Sequence, residues 1–298
     1  MINVTSRASR LALLGSAGLL GATALTGCGT GDDGDQGSRS AGEKRAKSPA
    51  QVVQATNSKT SEAGSAQVKV VSTASSGGRS ETVEGSGVMD FGDGKSRIEL
   101  GQQGQRIEQR IVDKVLYQKP PKGSGGLPGG KTWMKIDLKR VQAAGGSGGS
   151  GGTNISDPAD SFAYSKSLSE KDVKKVGQEQ VGGVKTTHYR VAVDVEKLAK
   201  GSPEQQKMLR QQLGDTLPMD LWIDGKGLTR RQQMVLSMSG EGGGGTSKAS
   251  SGEKVKAKVV MDFSDFGTDV AVKAPEAADT VDMTSKVIKQ GKQGKQKA

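Results

Sequence analysis

The sequence predicts an α+β fold built on one large, curved, antiparallel sheet. Apolar residues alternate with period two through most of residues 66–263, the pattern of strands with one buried face. Tight turns join these runs, among them Gly77-Gly78, Gly92-Asp93-Gly94, Gly182-Gly183 and Asp224-Gly225-Lys226-Gly227. Such turns make hairpins and exclude βαβ crossovers for the strands they connect. Helix signals are confined to the ends and to one crossover, which is the segregation of an α+β fold. About nine or ten strands are expected; a sheet that long curls or closes, and its concave side needs apolar cover.

The N-terminus carries a targeting signal. Arg7 and Arg10 precede an uncharged run from Leu11 to Leu25, with no acid upstream. A basic n-region and a short apolar h-region before small residues make a secretory signal peptide. The run is shorter than the roughly 20 residues a spanning helix needs. Leu25-Thr26-Gly27-Cys28 resembles a bacterial lipobox, which implies cleavage before Cys28, acylation of Cys28 and a place on the extracytoplasmic face of the cell membrane. Cys28 is the single cysteine of 298 residues, so no intramolecular disulfide forms. Once Cys28 is acylated, no thiol remains for catalysis or metal binding.

The chain carries a formal net charge of +11. For an exported chain the counterpart of that charge is an anionic membrane face or wall polymer, not nucleic acid. The expected organisation is a lipoprotein signal peptide at 1–27, a flexible tether at 28–48, the folded domain at 49–284 and a disordered basic tail at 285–298. The tether is Gly, Asp, Ser and Lys with almost no apolar content, too little to offset its ordering entropy.

In order, Ser48 is a helix N-cap and Pro49 fits the first helical position, with Val52, Val53 and Ala55 following. The helix ends near Gly64. Ala66, Val68 and Val70 then point one way, Gln67, Lys69 and Val71 the other. Thr82 to Phe91 is the second strand, with a bulge or bend at Gly85. Arg97 to Leu100 and Gln105 to Val112 follow, the latter with Ile107 and Ile111 apolar. Val115 to Gln118 and Trp133 to Leu138 are the next strands, on either side of a Gly/Pro loop. Gly145 to Gly152 is a low-complexity insert, and a short helix starts at Asp157-Pro158. Val173 to Val181 and Val184 to Val195 make a hairpin. Asp194 to Leu198 and Ser202 to Leu213 are helical. Met219 to Ile223 and Leu228 to Met238 pair about an Asp-Gly turn, a strong hairpin signal. Gly240 to Gly252 is a polar loop, Val255 to Phe263 the last long strand, and Val270 to Val272 ends the fold.

Three stretches together carry a family resemblance: Met219 to Arg231, Val181 to Val191 and Phe263 to Val270. With the lipobox, they resemble the actinobacterial LppX/LprG-type lipoproteins, relatives of the LolA/LolB lipoprotein carriers, over residues 49–284. The resemblance implies a half-barrel of antiparallel strands whose concave side, lidded by helices, holds lipid acyl chains. It implies a lipid or lipoglycan as ligand, the cell membrane as partner through the lipid anchor, and no cofactor. The Gly145–Gly152 and Gly240–Gly245 inserts depart from the pattern.

No enzyme chemistry emerges. The chain has one histidine, His188, which falls opposite the apolar phase of its strand and reads as a surface residue; one imidazole without Cys or clustered carboxylates makes no metal site. There is no Gly-x-Ser-x-Gly elbow, no phosphate loop and no Ca loop. Met134, Met234, Met238 and Met261 lie on strands, and methionine suits an adaptable apolar cavity. Trp133 and Trp222 fall on the back of the sheet, where crossing tails or loops would cover them. If the sheet curls around a lipid, the in-phase residues line it: Val68, Val70, Ile107, Ile111, Leu116, Met134, Ile136, Tyr189, Val191, Leu221, Ile223, Met234, Leu236, Val259 and Met261. A second reading stays open, an anchored envelope interaction or sensor module whose barrel is filled by side chains.

Overall fold

Ser48 opens the folded part. Its Oγ accepts from the Gln51 backbone N–H at 3.2 Å, and Gln51 Oε1 accepts from the Ser48 N–H at 3.0 Å. This capping box, with Pro49 at the first helical position, starts α1 (Pro49–Glu62). Gly64, at φ 77°, then turns the chain into β1 (Ser65–Ser76). The first half of the sheet continues through β2 (Arg79–Asp90), β3 (Ser96–Gln102), β4 (Gln105–Val112), β5 (Val115–Lys119) and β6 (Trp133–Asp137). A short α2 (Leu138–Ala143) follows directly, because the Asp137 carboxylate caps it by accepting from the Arg140 N–H at 3.0 Å. The second half comprises β7 (Val173–Val181), β8 (Val184–Asp194), α3 (Val195–Leu198), β9 (Thr216–Asp224), β10 (Thr229–Ser239) and β11 (Lys254–Ser264). β12 (Thr280–Asp282) and α4 (Thr284–Gln296) end the chain.

This computed structural model describes residues 47–144, 162–198, 207–239 and 254–296, apart from Gln103, Lys122, Ser124, Gly125, Met208, Leu209 and Gln212. Cys28, the Gly145–Gly152 insert, the Asp157-Pro158 helix start, Ser202 and the Gly240–Gly252 loop lie outside the described residues.

The strands form one twelve-stranded sheet, ordered β12-β6-β5-β4-β3-β2-β1-β11-β10-β9-β8-β7. The chain walks outward by hairpins from β1 to β6, crosses to the far edge at β7, and walks back to β11. There β11 pairs antiparallel with β1, bringing Val68 opposite Phe263. Every neighbouring pair is antiparallel except β12 with β6. The edge strands β12 and β7 do not meet, so the sheet is an open half-barrel.

Three expectations about the fold change. Gly85 is not a bulge, since the β1–β2 register runs unbroken through it. It and Gly87 sit where the paired neighbour β3 comes unusually close to β2: a Cβ at Gly87 would lie 1.9 Å from the Arg97 carbonyl oxygen, and one at Gly85 2.6 Å from Leu100 Cδ2. The fold does not end at Val270 to Val272, which has no regular secondary structure. The terminal strand is β12, eight residues later, and it pairs parallel with β6. The segment expected to be a disordered basic tail is helical to Gln296. Its lysine-rich composition masks two adjacent apolar residues, Val287 and Ile288, which with Met283 pack against Ile111, Leu116, Ile136 and Val141.

Candidate functional site

The register places every in-phase candidate on one face of the sheet. Val68 stands opposite Phe263 and Gly87, and Val70 opposite Met261 and Gly85. Across β10, Met234 stands between Val259 and Met219, while Leu236 is opposite Ala257. Met219 faces Val191, and Leu221 faces Tyr189, with Ile223 two residues along the same face. In the other direction, Leu100 faces Ile107, and Ile111 faces Leu116, which faces Ile136; Met134 is opposite Gln118.

Helices and one aromatic cover this inner face in three patches. Under α1, Ala50 and Val53 pack with Val173, Tyr189, Val191, Val193, Leu217, Met219, Leu221 and Ile223, with Met234 and Leu236 at the margin. At the centre, Phe162 packs edge-on against Phe91 and beside Phe263, over Val68 and with Val70 and Met261. Below α2 and α4, Ile111, Leu116 and Ile136 surround Val141. Val191 and Val193 are 0% exposed, so these patches are packed as a core is. Ile107, Met134 and Val259 are half-buried on the same face. Three glutamines interrupt it, Gln109, Gln118 and Gln232; Gln109 Oε1 is buried with no hydrogen-bond partner among the described residues.

Space remains at the rim beside α1. A cavity of about 250 Å³ is lined by Val52, Ala55, Thr56 and Lys59 of α1, by Thr187, Tyr189 and Ile223 of the sheet, and by the Asp224–Gly227 turn, Lys226 and Lys47. Of the sequence candidates, Tyr189 and Ile223 reach it. The helix is tied to the turn next to it: Thr60 Oγ1 accepts from the Thr229 N–H at 3.3 Å, and the Lys59 stem lies against Gly227. The turn is rigid, because Asp224 Oδ1 accepts from the N–H groups of Lys226 and Leu228 at 2.9 and 3.0 Å, while Oδ2 accepts from Arg230 Nε at 2.8 Å. The cavity therefore has an apolar floor, with Lys47, Lys59 and Lys226 at its rim, Lys59 being paired with Glu62 at 3.2 Å. Sequence reading missed the α1 side of it. The signal was present in Val52 and Ala55, but which face α1 buries depends on its docking.

The outer face holds a different arrangement, and His188 is not a surface residue. It is 6% exposed, stacked on Trp222 at 4.2 Å between ring centroids. Its Nδ1 is 3.0 Å from Glu179 Oε1 and its Nε2 is 2.8 Å from Asp220 Oδ1. Trp222 donates its indole N–H to Glu179 Oε2 at 2.8 Å. That hydrogen bond, and then His188, hold the Glu179 carboxyl below its usual range. The two tryptophans do lie on this face, with a cationic side chain over each: Arg110 at 4.6 Å from Trp133 and Arg231 at 5.8 Å from Trp222; Arg110 also donates to the Lys273 carbonyl oxygen at 3.0 Å, in the segment that runs from β11 to β12. Arg231 in turn holds Asp262 through two hydrogen bonds of 2.5 and 2.8 Å. These contacts join β7 to β11 across the back of the sheet. Among the described residues no group of His, Cys, Asp and Glu is placed to hold a metal, and no helix is long and apolar enough to cross a membrane.

No protein-family model matches the chain. It is 30% identical over 194 residues to an uncharacterised 31.2 kDa protein of Streptomyces griseus encoded between rplA and rplJ, a match covering 62% of this chain and 59% of that protein. The chain thus spans about three-fifths of that relative. It is 24% identical to a candidate lipoprotein of Streptomyces coelicolor, over 98% of this chain and 100% of that one. Among solved structures it is similar to the lipoprotein LppX of Mycobacterium tuberculosis, with 13% identity, a TM-score of 0.43, and coverage of 74% of this chain and 98% of LppX.

Proposed function

We propose that this chain is an extracytoplasmic lipoprotein of the LppX/LprG type, anchored to the cell membrane through acylated Cys28. It takes a lipid or a lipidated molecule against the inner face of its half-barrel and carries it across the envelope. The observation that carries this reading is the single apolar face. The in-phase residues from β1 to β11 all fall on one side of an open sheet, with a basic-rimmed cavity where α1 meets it. The lipobox and the full-length likeness to a candidate lipoprotein support the anchor.

At about 250 Å³ the rim cavity is smaller than the roughly 300–1,000 Å³ typical of drug-sized sites. It has room for part of one acyl chain, with Lys47, Lys59 and Lys226 beside the head group. A whole lipid requires α1 to part from the sheet, and the helix is amphipathic only weakly: Thr56 and Thr60 are buried beside Ala50 and Val53. The unpartnered Gln109 acceptor supports a ligand with a hydrogen-bond donor deeper along the same face. The packed patch around Val191 favours the second reading, a filled half-barrel that acts as an anchored interaction module.

Organic extraction of the protein purified from its native membrane, followed by mass spectrometry, tests the proposal. A stoichiometric co-purifying lipid, lost on chain-filling substitution at the rim, is the expected result. Extracts holding only bulk membrane lipid in sub-stoichiometric amount would sink the carrier reading and leave the interaction module.

A further inference from the structure

Part of the inner face is filled by a segment that does not belong to the sheet. From Phe162 to Leu168 the chain forms no strand and makes a short 3₁₀-helix (Ala163–Ser167). Phe162 is 2% exposed and packs over Val68, with ring centroids 5.8 Å from Phe91 and 5.7 Å from Phe263. Val70, Leu100 and Met261 stand at the margin of this cluster, each half-buried. Leu168 is buried, and Tyr164 half-buried, in the patch under α1. One short strap thus supplies side chains to two of the three patches.

The strap is attached differently from a strand. The Ser165 N–H donates to the Phe162 carbonyl at 3.1 Å and the Leu168 N–H to the Ser165 carbonyl at 3.3 Å, both within the strap. Side-chain bonds fasten it to α1 and its cap. Gln54 Nε2 donates to the Leu168 carbonyl at 2.7 Å, and two residues on the Ser48 hydroxyl donates to the Glu170 carboxylate. One group works the other way. Ser165 is 2% exposed, and among the described residues its Oγ has no hydrogen-bond partner. A buried hydroxyl without a partner costs free energy that contact with water returns. Apolar contact and the bonds to α1 therefore hold the strap down against the cost of burying Ser165.

We propose that the Phe162–Leu168 strap is a displaceable plug, and that an acyl chain entering the centre of the inner face takes the place of Phe162. The occupant rests on the carrier reading above; the attachment of the strap does not. The exchange is apolar for apolar. The floor of Val68, Val70, Leu100, Met261 and Phe263 stays covered whichever group lies on it, so the polar ties set the balance. Gln54 and Glu170 favour the plugged arrangement and Ser165 opposes it. A ligand that binds only the unplugged arrangement has its affinity lowered by the fraction of molecules in that arrangement. Loosening the ties raises that fraction while α1 stays on the sheet.

Hydrogen exchange read by mass spectrometry tests this on the mature chain carrying Cys28→Ala, which has no acyl chain of its own. With hexadecanoic acid bound, the amides of the strap are expected to exchange faster and those of β8 and β9 to stay as they were. Uptake of a fluorescent hexadecanoic acid gives a second readout. Gln54→Ala and Glu170→Ala each remove one tie and should raise the apparent affinity by about fivefold. Gln67→Ala, exposed on the outer face, should bind as the parent does. Phe162→Ala should melt lower and take up the probe more tightly. If Phe162 were core packing alone, the variant would melt lower with no gain, since the void of one ring does not hold so long a chain. Fatty acid bound with the strap as protected as before would overturn the plug and leave the carrier reading standing. Uptake by neither the parent nor any variant would sink both.

Discussion

At the scale of single residues, two positions are decisive for different reasons. Cys28 is the only thiol in the chain, and the proposed anchor rests on its acylation. Lysines at a headgroup surface contribute about 1 kcal/mol each and are screened by salt, whereas acylation anchors through buried methylenes. Cys28→Ala should therefore move the protein from the membrane pellet to the soluble fraction in moderate salt, as fractionation would show. Gly87 matters because the backbone of its partner strand β3 stands against it: any Cβ there meets the Arg97 carbonyl oxygen at 1.9 Å and Ile98 Cα at 2.8 Å. Backbone cannot yield as a flexible side chain does. Gly87→Ala is expected to cost about 1–3 kcal/mol or more, read as a lowered urea midpoint. Gly177→Ala, with nothing within 4 Å, should leave the midpoint nearly unchanged.

At the scale of elements, α4 depends on its cap. Hydrogen bonds from Thr284 hold Asp282 below the ordinary carboxylate range, with Lys135 and Arg140 adding to them. A carboxyl whose folded pKa is depressed contributes stability above its unfolded pKa and loses it as pH falls through the folded value. Asp282→Asn should therefore melt below the parent at neutral pH, and the gap should close as pH drops below about 4. Asp282 is 44% exposed on its side chain, so solvent screening keeps the gap small. A gap that persists at pH 2 would show the loss to be one of packing. The β8–β9 pair is held from behind by the polar contacts of His188 around a stacked ring pair, and from within by Val191, Tyr189, Met219 and Leu221. Both faces of these strands are thus pinned, which makes this end of the sheet a rigid wall for α1 to dock against.

At the scale of the molecule, the question is how much of the inner face is space and how much is packing. Ala55 is half-buried and lines the rim cavity, whereas Val191 is buried inside the first cluster. Ala55→Phe should fill space without forcing its neighbours. Its melting temperature is expected to stay near the parent's, and displacement of a fluorescent fatty acid should show lost uptake. Val191→Trp should overpack and cost roughly 1–3 kcal/mol. If Ala55→Phe takes up the probe as the parent does, the rim is not the acyl site. If Val191→Trp melts normally, the α1 patch is looser than its burial indicates, and a cavity extends beneath it.

What the sequence by itself determined is everything set by near neighbours along the chain. The Ser48 cap with Pro49 after it, the Asp224-Gly225 turn and the period-two runs are each read within a few residues, and the structure has them where they read. Strand phase is equally local, which is why Val68, Leu116, Leu221 and the other candidates all fall on one face. Tertiary structure decided what lies beyond such windows. His188 alternates as a surface residue does, and only the pairing of β7, β8 and β9 sets Glu179, Asp220 and Trp222 around it. Val287 and Ile288 are two apolar residues in a run of Lys, Gln and Gly; they are a helix face only because β4, β5 and β6 supply a cluster to receive them. β12 is three residues long and exists by pairing with β6. Whether the apolar face encloses a cavity or a core is of the same kind, since alternation fixes which way a side chain points and not what stands opposite it.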